Sequence, residues 1–401
     1  MAAILTRPAS IAYSTGRRPA EGVSPAGARP ERSDMNVPLL DLKAQYLPLR
    51  GEILEAIQQV VDSCQVINGP AVRQLEEAVA SYCHGKAAVG VSSGTDAILL
   101  SLMALGIGRG DEVITTPYTF FATVGCIWRV GAKPVFVDIE PATYNIDPVR
   151  VAAAVTPRTK AIIPVHLYGQ MADMDALMAV ANRHGLYVIE DAAQSIGATS
   201  NGRQAFSMGT VGCLSFYPSK NLGAIGDAGM VVTTDADLGA KLAVFRQHGE
   251  NRRYYHRYVG GNFRMDTVQA AVLLVKLAHL DRWTAGRRAN AARYDELLAG
   301  TDAIVRPHVA AGNVSIYNQY VVRVNDRDTV QARLKDRGVA TAIYYPLSLH
   351  EQECFAALGY KRGDFPQSEK AAAETLALPI YPELTDEQLV YVATSLKESA
   401  R

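Results

Sequence analysis

Residues 213–232 read CLSFYPSKNLGAIGDAGMVV. A short apolar run enters a polar loop that carries Lys220 and three glycines (Gly223, Gly226, Gly229), and a second β-branched run resumes after it. This is the pattern of a strand, a glycine-rich loop and a further strand. Taken alone, Lys220 reads as a solvated surface lysine, since lysine is rarely buried without a purpose. The flanking sequence reverses that reading.

Working outward, the chain from about Glu52 to Gly300 alternates short β-branched runs with longer amphipathic segments, the signature of strands joined by crossover helices. The strand candidates are KAAVGV, DEVITT, KPVFVD, AIIPVH, YVIED, CLSFY and GMVVTT. Several are apolar on successive residues, as expected when helices cover both faces of a mainly parallel sheet. The expected class is therefore α/β. After Gly300 the order changes to a strand (QYVVRV), a helix (TVQARLKDRG), a strand (ATAIYYP) and a closing helix from LTDEQL. Residues 37–300 are thus expected to form a large α/β domain and residues 301–401 a smaller α+β domain. The first 34 residues, rich in Ala, Arg, Pro and Ser, read as a disordered tail or an over-extended start ahead of Met35. Glu21, Glu31 and Asp34 are unwelcome in an organelle-targeting peptide, and the folded chain is expected to begin near Val37.

Composition narrows the classes. With 401 residues, 48% of them hydrophobic, the chain can bury a sizeable core. Forty basic residues balance forty acidic ones, so no overall field draws it to nucleic acid or an anionic membrane. One of the longest apolar runs, Ala270 to Val275, stops at Lys276, far short of the roughly 18 residues a membrane helix needs. The five cysteines are odd in number and widely spaced, which fits reduced thiols and a cytoplasmic setting.

Three further elements bear on Lys220. YVIEDAAQSIGA puts Asp191 at the end of an apolar strand, where open α/β sheets keep their ligands. A carboxylate there could keep a pyridine nitrogen protonated, and Gln194 could donate to a neighbouring ring oxygen. Read by itself, Asp191 could equally be a helix cap. AVGVSSGTDAILLSLMAL runs from strand to Ser/Gly turn to helix, so Gly94 and Thr95 sit where free amides and the helix dipole favour a phosphate; any capped strand-to-helix junction looks similar. TTPYTFFATVGCI sets Tyr118, Phe120 and Phe121 just past a strand, where a planar ring could stack, although each alone reads as core and Phe121 is assigned there. GIGRGD follows a helix and reads as a turn.

Phosphate turn, aromatic, ring acid and lysine in that order match the layout of fold type I pyridoxal 5'-phosphate (PLP) enzymes. The wording of SGTDA, PYTFFAT, PVHLYGQMADMD, VIEDAAQSIGA, SFYPSKNLGAIGDAG and GNFRMDTVQAAVLLVKL closely resembles the DegT/DnrJ/StrS family of nucleotide-sugar aminotransferases, in register from PLLDLKAQY to LPIYPELTDEQL. The resemblance implies that Lys220 is the Schiff-base lysine, Asp191 the acid on the ring nitrogen, Gln194 its neighbour on the phenolic oxygen and Phe120 the stacking ring. It implies Gly94, Thr95 and Ser215 on the phosphate, with Asn262 reaching in from the second subunit of a homodimer. It also sets Tyr217, Arg264, Tyr345 and His350 towards the sugar nucleotide, with His166 a structural neighbour. The expected reaction moves an amino group from L-glutamate to a keto sugar on a nucleotide diphosphate, a 3-keto hexose on dTDP or UDP in preference to a 4-keto one. HEQE departs from the family's wording and puts the acceptor contacts in doubt. Retention of Lys220 argues against the family's dehydratases, which carry histidine there, and the charge balance argues against a transcriptional regulator.

Overall fold

The computed structural model describes residues 35–401; the expected tail lies outside the described residues. The seven strand candidates form one sheet, with β1 Ala87–Val91, β2 Glu112–Thr115, β3 Lys133–Phe136, β4 Thr159–Ile162, β5 Tyr187–Asp191, β6 Val211–Ser215 and β7 Gly229–Thr233. Their order across the sheet is β1-β7-β6-β5-β4-β2-β3. Only β7 runs antiparallel to its neighbours β1 and β6; the remaining pairs are parallel. The architecture is the mainly parallel α/β sheet expected of the class.

Successive strand residues serve opposite faces. Ile114, Ile162, Val188, Leu214 and Val232 join one buried cluster, whereas Val113, Ala161, Ile189, Cys213 and Val231 join another. Both faces are therefore covered, and this is why the strands read as unbroken apolar runs rather than alternating ones. At about 1.5–3 kcal/mol for each fully buried aliphatic side chain, this double burial fixes the sheet's position, and with it the line along which its strands end.

The chain after Gly300 contributes a second, antiparallel sheet in the order β8-β9-β10, formed by β8 Ile304–Val305, β9 Tyr320–Val324 and β10 Thr375–Leu378. Helices Leu280–Leu297, Arg327–Asp336 and Asp386–Ser399 accompany it. Val37 enters the same apolar cluster as Tyr294, Tyr320 and Leu396, and its backbone bridges Val339. The expected strand ATAIYYP is a correction. Residues 340–346 form no strand and make only an isolated bridge at Ala342 with Ala377 on the free edge of β10, because the Tyr344 carbonyl just beyond it is taken by the hydroxyls of Tyr118 and Tyr168. That segment turns instead towards the large sheet.

Among the described residues, no helix is long and apolar enough to cross a membrane, and all five cysteines are free.

Candidate active site

A cavity of ≈ 540 Å³ lies along the edge where the parallel strands end and β7 begins. Each strand delivers a short polar segment to it. After β1, Ser93 caps helix Gly94–Ala104 by accepting from the Asp96 amide at 3.1 Å. The Gly94 and Thr95 amides stand in the first turn, where no carbonyl of the helix can reach them. Two close approaches shape this turn. A Cβ on Gly94 would lie 2.7 Å from the Ser215 Cβ, and one on Gly229 would lie 2.3 Å from the Ser93 carbonyl carbon. Glycine at both positions therefore lets β6 and β7 close against the turn, and Ser215 lines the same cavity.

Asp191 ends β5 with its carboxyl in the cavity wall. Its Oδ2 accepts from Thr123 Oγ1 at 2.7 Å and its Oδ1 from the Ala193 amide at 3.4 Å. Burial pushes its pKa up, while Thr123, the Ala193 amide and Lys220 hold it down. Lys220 lies on a loop closed by its own amide on Tyr217 O and by the Ala224 amide on Phe216 O, both at 2.8 Å. Asn221 Nδ2 and Lys276 Nζ anchor the loop further on the carbonyls of Ile316 and Gly223. Burial pushes the Lys220 amine down to about 8, partly offset by Asp191. Lysine and acid thus sit in one cavity, each moved towards its neutral form.

Gln194 links two walls. Its Oε1 accepts from the Tyr168 amide at 2.8 Å and its Nε2 donates to Tyr345 Oη at 3.2 Å, which fixes the orientation of the amide. Tyr345 arrives from the segment expected to be a strand, and Tyr118 and Tyr168 hold that segment by donating to the Tyr344 carbonyl. At the rim, the Phe120 ring is 56% exposed and lies 6.1 Å from that of Tyr345, and Tyr217 is exposed nearby in the lining.

Nine of the twelve expected residues therefore share the cavity: Gly94, Thr95, Phe120, Asp191, Gln194, Ser215, Tyr217, Lys220 and Tyr345. Three do not. Asn262 is exposed and its backbone bridges Gln247, while Arg264 bridges Val91 and leaves a buried Nε without a partner. His350 lies outside the lining: a 3-10 turn carries it into a satellite core, where it is buried, packs edge-on against Phe365 and bonds Glu369 Oε1 at 3.1 Å. Its Nδ1 has no partner among the described residues. Phe121 is a correction, being exposed and stacked on Phe355 at 5.5 Å. His166 is buried beneath the site, its Nδ1 accepting from the Ala172 amide and its Nε2 meeting Glu190 at 2.9 Å.

Sequence reasoning missed Thr119, Thr123, Gln319 and Tyr344. The two threonines stand four residues apart inside PYTFFAT and their hydroxyls meet at 3.0 Å; that spacing is the signal in the sequence that pairs them.

Residues 48–397 match the model of the DegT/DnrJ/EryC1/StrS aminotransferase family. The chain is 54% identical to a pleiotropic regulatory protein of Geobacillus stearothermophilus, over 92% of this chain and 99% of that one. It is 46% identical to a UDP-N-acetyl-3-dehydro-alpha-D-glucosamine 3-aminotransferase of Acidithiobacillus ferrooxidans, over 90% and 98%. The solved structure of DesV from S. venezuelae superposes with a TM-score of 0.89 at 43% identity, covering 91% of this chain and 99% of that one.

Proposed function

The chain belongs to the DegT/DnrJ/EryC1/StrS aminotransferase family, and from that premise we propose that it moves the amino group of L-glutamate to C3 of a 3-keto hexose carried on UDP or dTDP, for amino-sugar biosynthesis. The observation that carries this reading is the pairing of Lys220 with Asp191 in one cavity beside the Gly94–Thr95 turn. The choice of C3 draws on the acceptor in the name of the A. ferrooxidans relative.

The residues present fit PLP. A cradle of first-turn amides, opened by glycines where a Cβ would collide, suits a phosphate. A buried carboxylate whose pKa burial has raised regains its charge beside a cation, as a pyridinium nitrogen would provide. When bound, PLP supplies an aldehyde that captures amines and a protonated ring that accepts carbanion charge. Lys220, whose amine burial holds down to about 8, would bond that aldehyde, be freed when the donor's amine takes its place on the aldehyde carbon, and then take the proton from the donor's Cα at Nζ and return it. Asp191 would hold the proton on the ring nitrogen, Gln194 Nε2 would donate to the phenolic oxygen, and Phe120 would cover the ring. Gly94, Thr95 and Ser215 would bind the phosphate. Glutamate leaves as 2-oxoglutarate and the sugar's keto oxygen is replaced by the amine.

Tyr217, Tyr345 and Arg264 are proposed to face the sugar nucleotide. Asn262, exposed and outside its own chain's cavity, is proposed to complete the phosphate site of a second subunit in a homodimer. The setting proposed is the cytoplasm, where the five free thiols stay reduced. The balanced charge lends no support to a regulatory, DNA-binding role.

The test loads the protein with PLP, converts it with L-glutamate, and then offers UDP- and dTDP-linked 3-keto and 4-keto sugars in turn. Return of the PLP absorbance with a 3-keto sugar is the expected result. Return only with a 4-keto sugar, or with neither, overturns the assignment of the acceptor.

A further inference from the structure

A second cavity of ≈ 60 Å³ adjoins the main one, the two sharing Ser219, Gln319 and Tyr344 in their linings. A water needs on the order of 10–15 Å³ of such space, so the chamber takes a carboxylate group with water. Its remaining surface is the backbone and apolar side chains of Leu39, Leu40, Ala377, Leu378 and Ile380, together with Asn318 and one charged group, Arg287. Leu39 and Leu40 belong to the PLLDLKAQY segment, to which the catalytic reading assigns no role.

Arg287 is 2% exposed. All three of its hydrogen bonds leave from Nη1, to the carbonyls of Tyr317 (3.2 Å), Asn318 (3.4 Å) and Ile380 (2.8 Å). Nε and Nη2 donate to no group among the described residues. Glu383 is near enough to act on the guanidinium through space, yet none of the described ion pairs joins the two. A buried guanidinium held by carbonyls along one edge, with its other N–H groups free, is the fork that binds a carboxylate in two-pronged fashion. Glu383 offsets part of the cost of burying this charge through space, and an anionic ligand bonded to the free N–H groups offsets more.

We infer that Arg287 binds the side-chain carboxylate of the amino donor and so selects a dicarboxylic amino acid. The inference rests on the reading of glutamate as donor. The donor's Cα must lie over the Lys220 amine in the main cavity, so a carboxylate that enters the adjoining cavity is the distal one. Arg287 is thus a specificity residue for the first half of the reaction, with no part in binding the sugar.

Because the two half-reactions are measured separately, the test isolates this role. With the PLP-loaded enzyme in single turnover, Arg287→Met is expected to slow conversion by L-glutamate about 10- to 100-fold, as loss of a charge-assisted pair allows, and to leave L-alanine, which lacks the distal carboxylate, within about twofold. Arg287→Lys should recover part of the loss with glutamate. Conversion in reverse by the nucleotide amino sugar should also stay within about twofold. An equal drop with glutamate, alanine and amino sugar would mark Arg287 as merely structural and overturn the inference, as would an unchanged rate with glutamate. Should the variants not fold, calorimetry on the wild-type holoenzyme decides: glutarate is expected to bind at least about 10-fold more tightly than butyrate, and equal affinity sinks the idea. If no nucleotide sugar is accepted while glutamate still converts the cofactor, the proposed acceptor fails and the role of Arg287 remains open to the same measurements.

Discussion

Thr123 donates its hydroxyl to Oδ2 of Asp191 at 2.7 Å, so a side chain outside every expected role favours the charged form of the buried acid against the effect of burial. Burial drives the Asp191 pKa up and Thr123 is the largest of the groups that hold it down. Thr123→Val keeps the shape and removes the donor. It should raise the Asp191 pKa further, weaken its hold on the ring proton and lower kcat about 10-fold, in line with roughly 1.5–3 kcal/mol for a hydrogen bond to a charged group. Asp191→Asn should still bind PLP yet lose most of its turnover. Steady-state rates and absorbance titrations of the bound cofactor across pH check both; a Thr123→Val enzyme with unchanged rate and titration would remove the link.

Lys220 should give the cofactor-free protein a titration with its midpoint near 8. The folded pKa of about 8 is below the ordinary lysine value of 10.5, so between those values the unfolded chain binds more protons than the folded one. Stability from this group therefore rises with pH from about 8 to 10.5, and its cost is fully present below 8. Capture of PLP needs the neutral amine and should accelerate over the same rise through 8. Lys220→Ala should abolish turnover and the pH-dependent capture while leaving the protein at least as stable at pH 7 by thermal melting. A capture midpoint above 10 would mean that Lys220 is solvated after all.

The turn beneath the proposed phosphate site depends on absent side chains. A Cβ at Gly229 would fall 2.3 Å from the carbonyl carbon of Ser93, a backbone atom that cannot swing aside. Gly229→Ala should cost about 1–3 kcal/mol in stability and weaken PLP binding by at least about 10-fold, because the Ser93–Gly94 backbone must shift. Gly51→Ala, where a new Cβ meets nothing within 4 Å, should leave both stability and binding unchanged or slightly improved. Differential scanning calorimetry and cofactor titration of the two variants make the comparison.

Much of this arrangement was legible because it depends on local sequence. The strands of the large sheet are buried on both faces and so appear as apolar runs, and Asp191, Gln194 and Ser215 follow those runs at the edge where ligands gather. What escaped depends on contacts distant in sequence. Nothing local tells residues 340–346 that the Tyr344 carbonyl will accept from the hydroxyls of Tyr118 and Tyr168, far earlier in the chain, instead of continuing along the free edge of β10 past Ala342. The burial of His350 likewise depends on partners its own segment does not announce, Glu369 and Phe365. Arg287 lies in a helix of ordinary charged composition, and only its burial beside the carbonyls of Tyr317 and Ile380 distinguishes it.

Asn262 offers a test of how the sites are shared. It stands exposed, its backbone bridging Gln247, and outside the cavity of its own chain. If it acts across a two-fold interface, each site combines Lys220 of one protomer with Asn262 of the other. Protomers carrying Lys220→Ala and Asn262→Ala are each expected to form dimers with little activity. A heterodimer of the two holds one site with both defects and one with neither. Random exchange should therefore restore about a quarter of the wild-type sites, read as turnover after the two variants are unfolded together and refolded. Residues acting within one protomer would leave every mixed site with a defect, and turnover would stay at the sum of the separate variants. Co-refolding without recovery, in a sample that light scattering shows to be dimeric, therefore excludes the shared site.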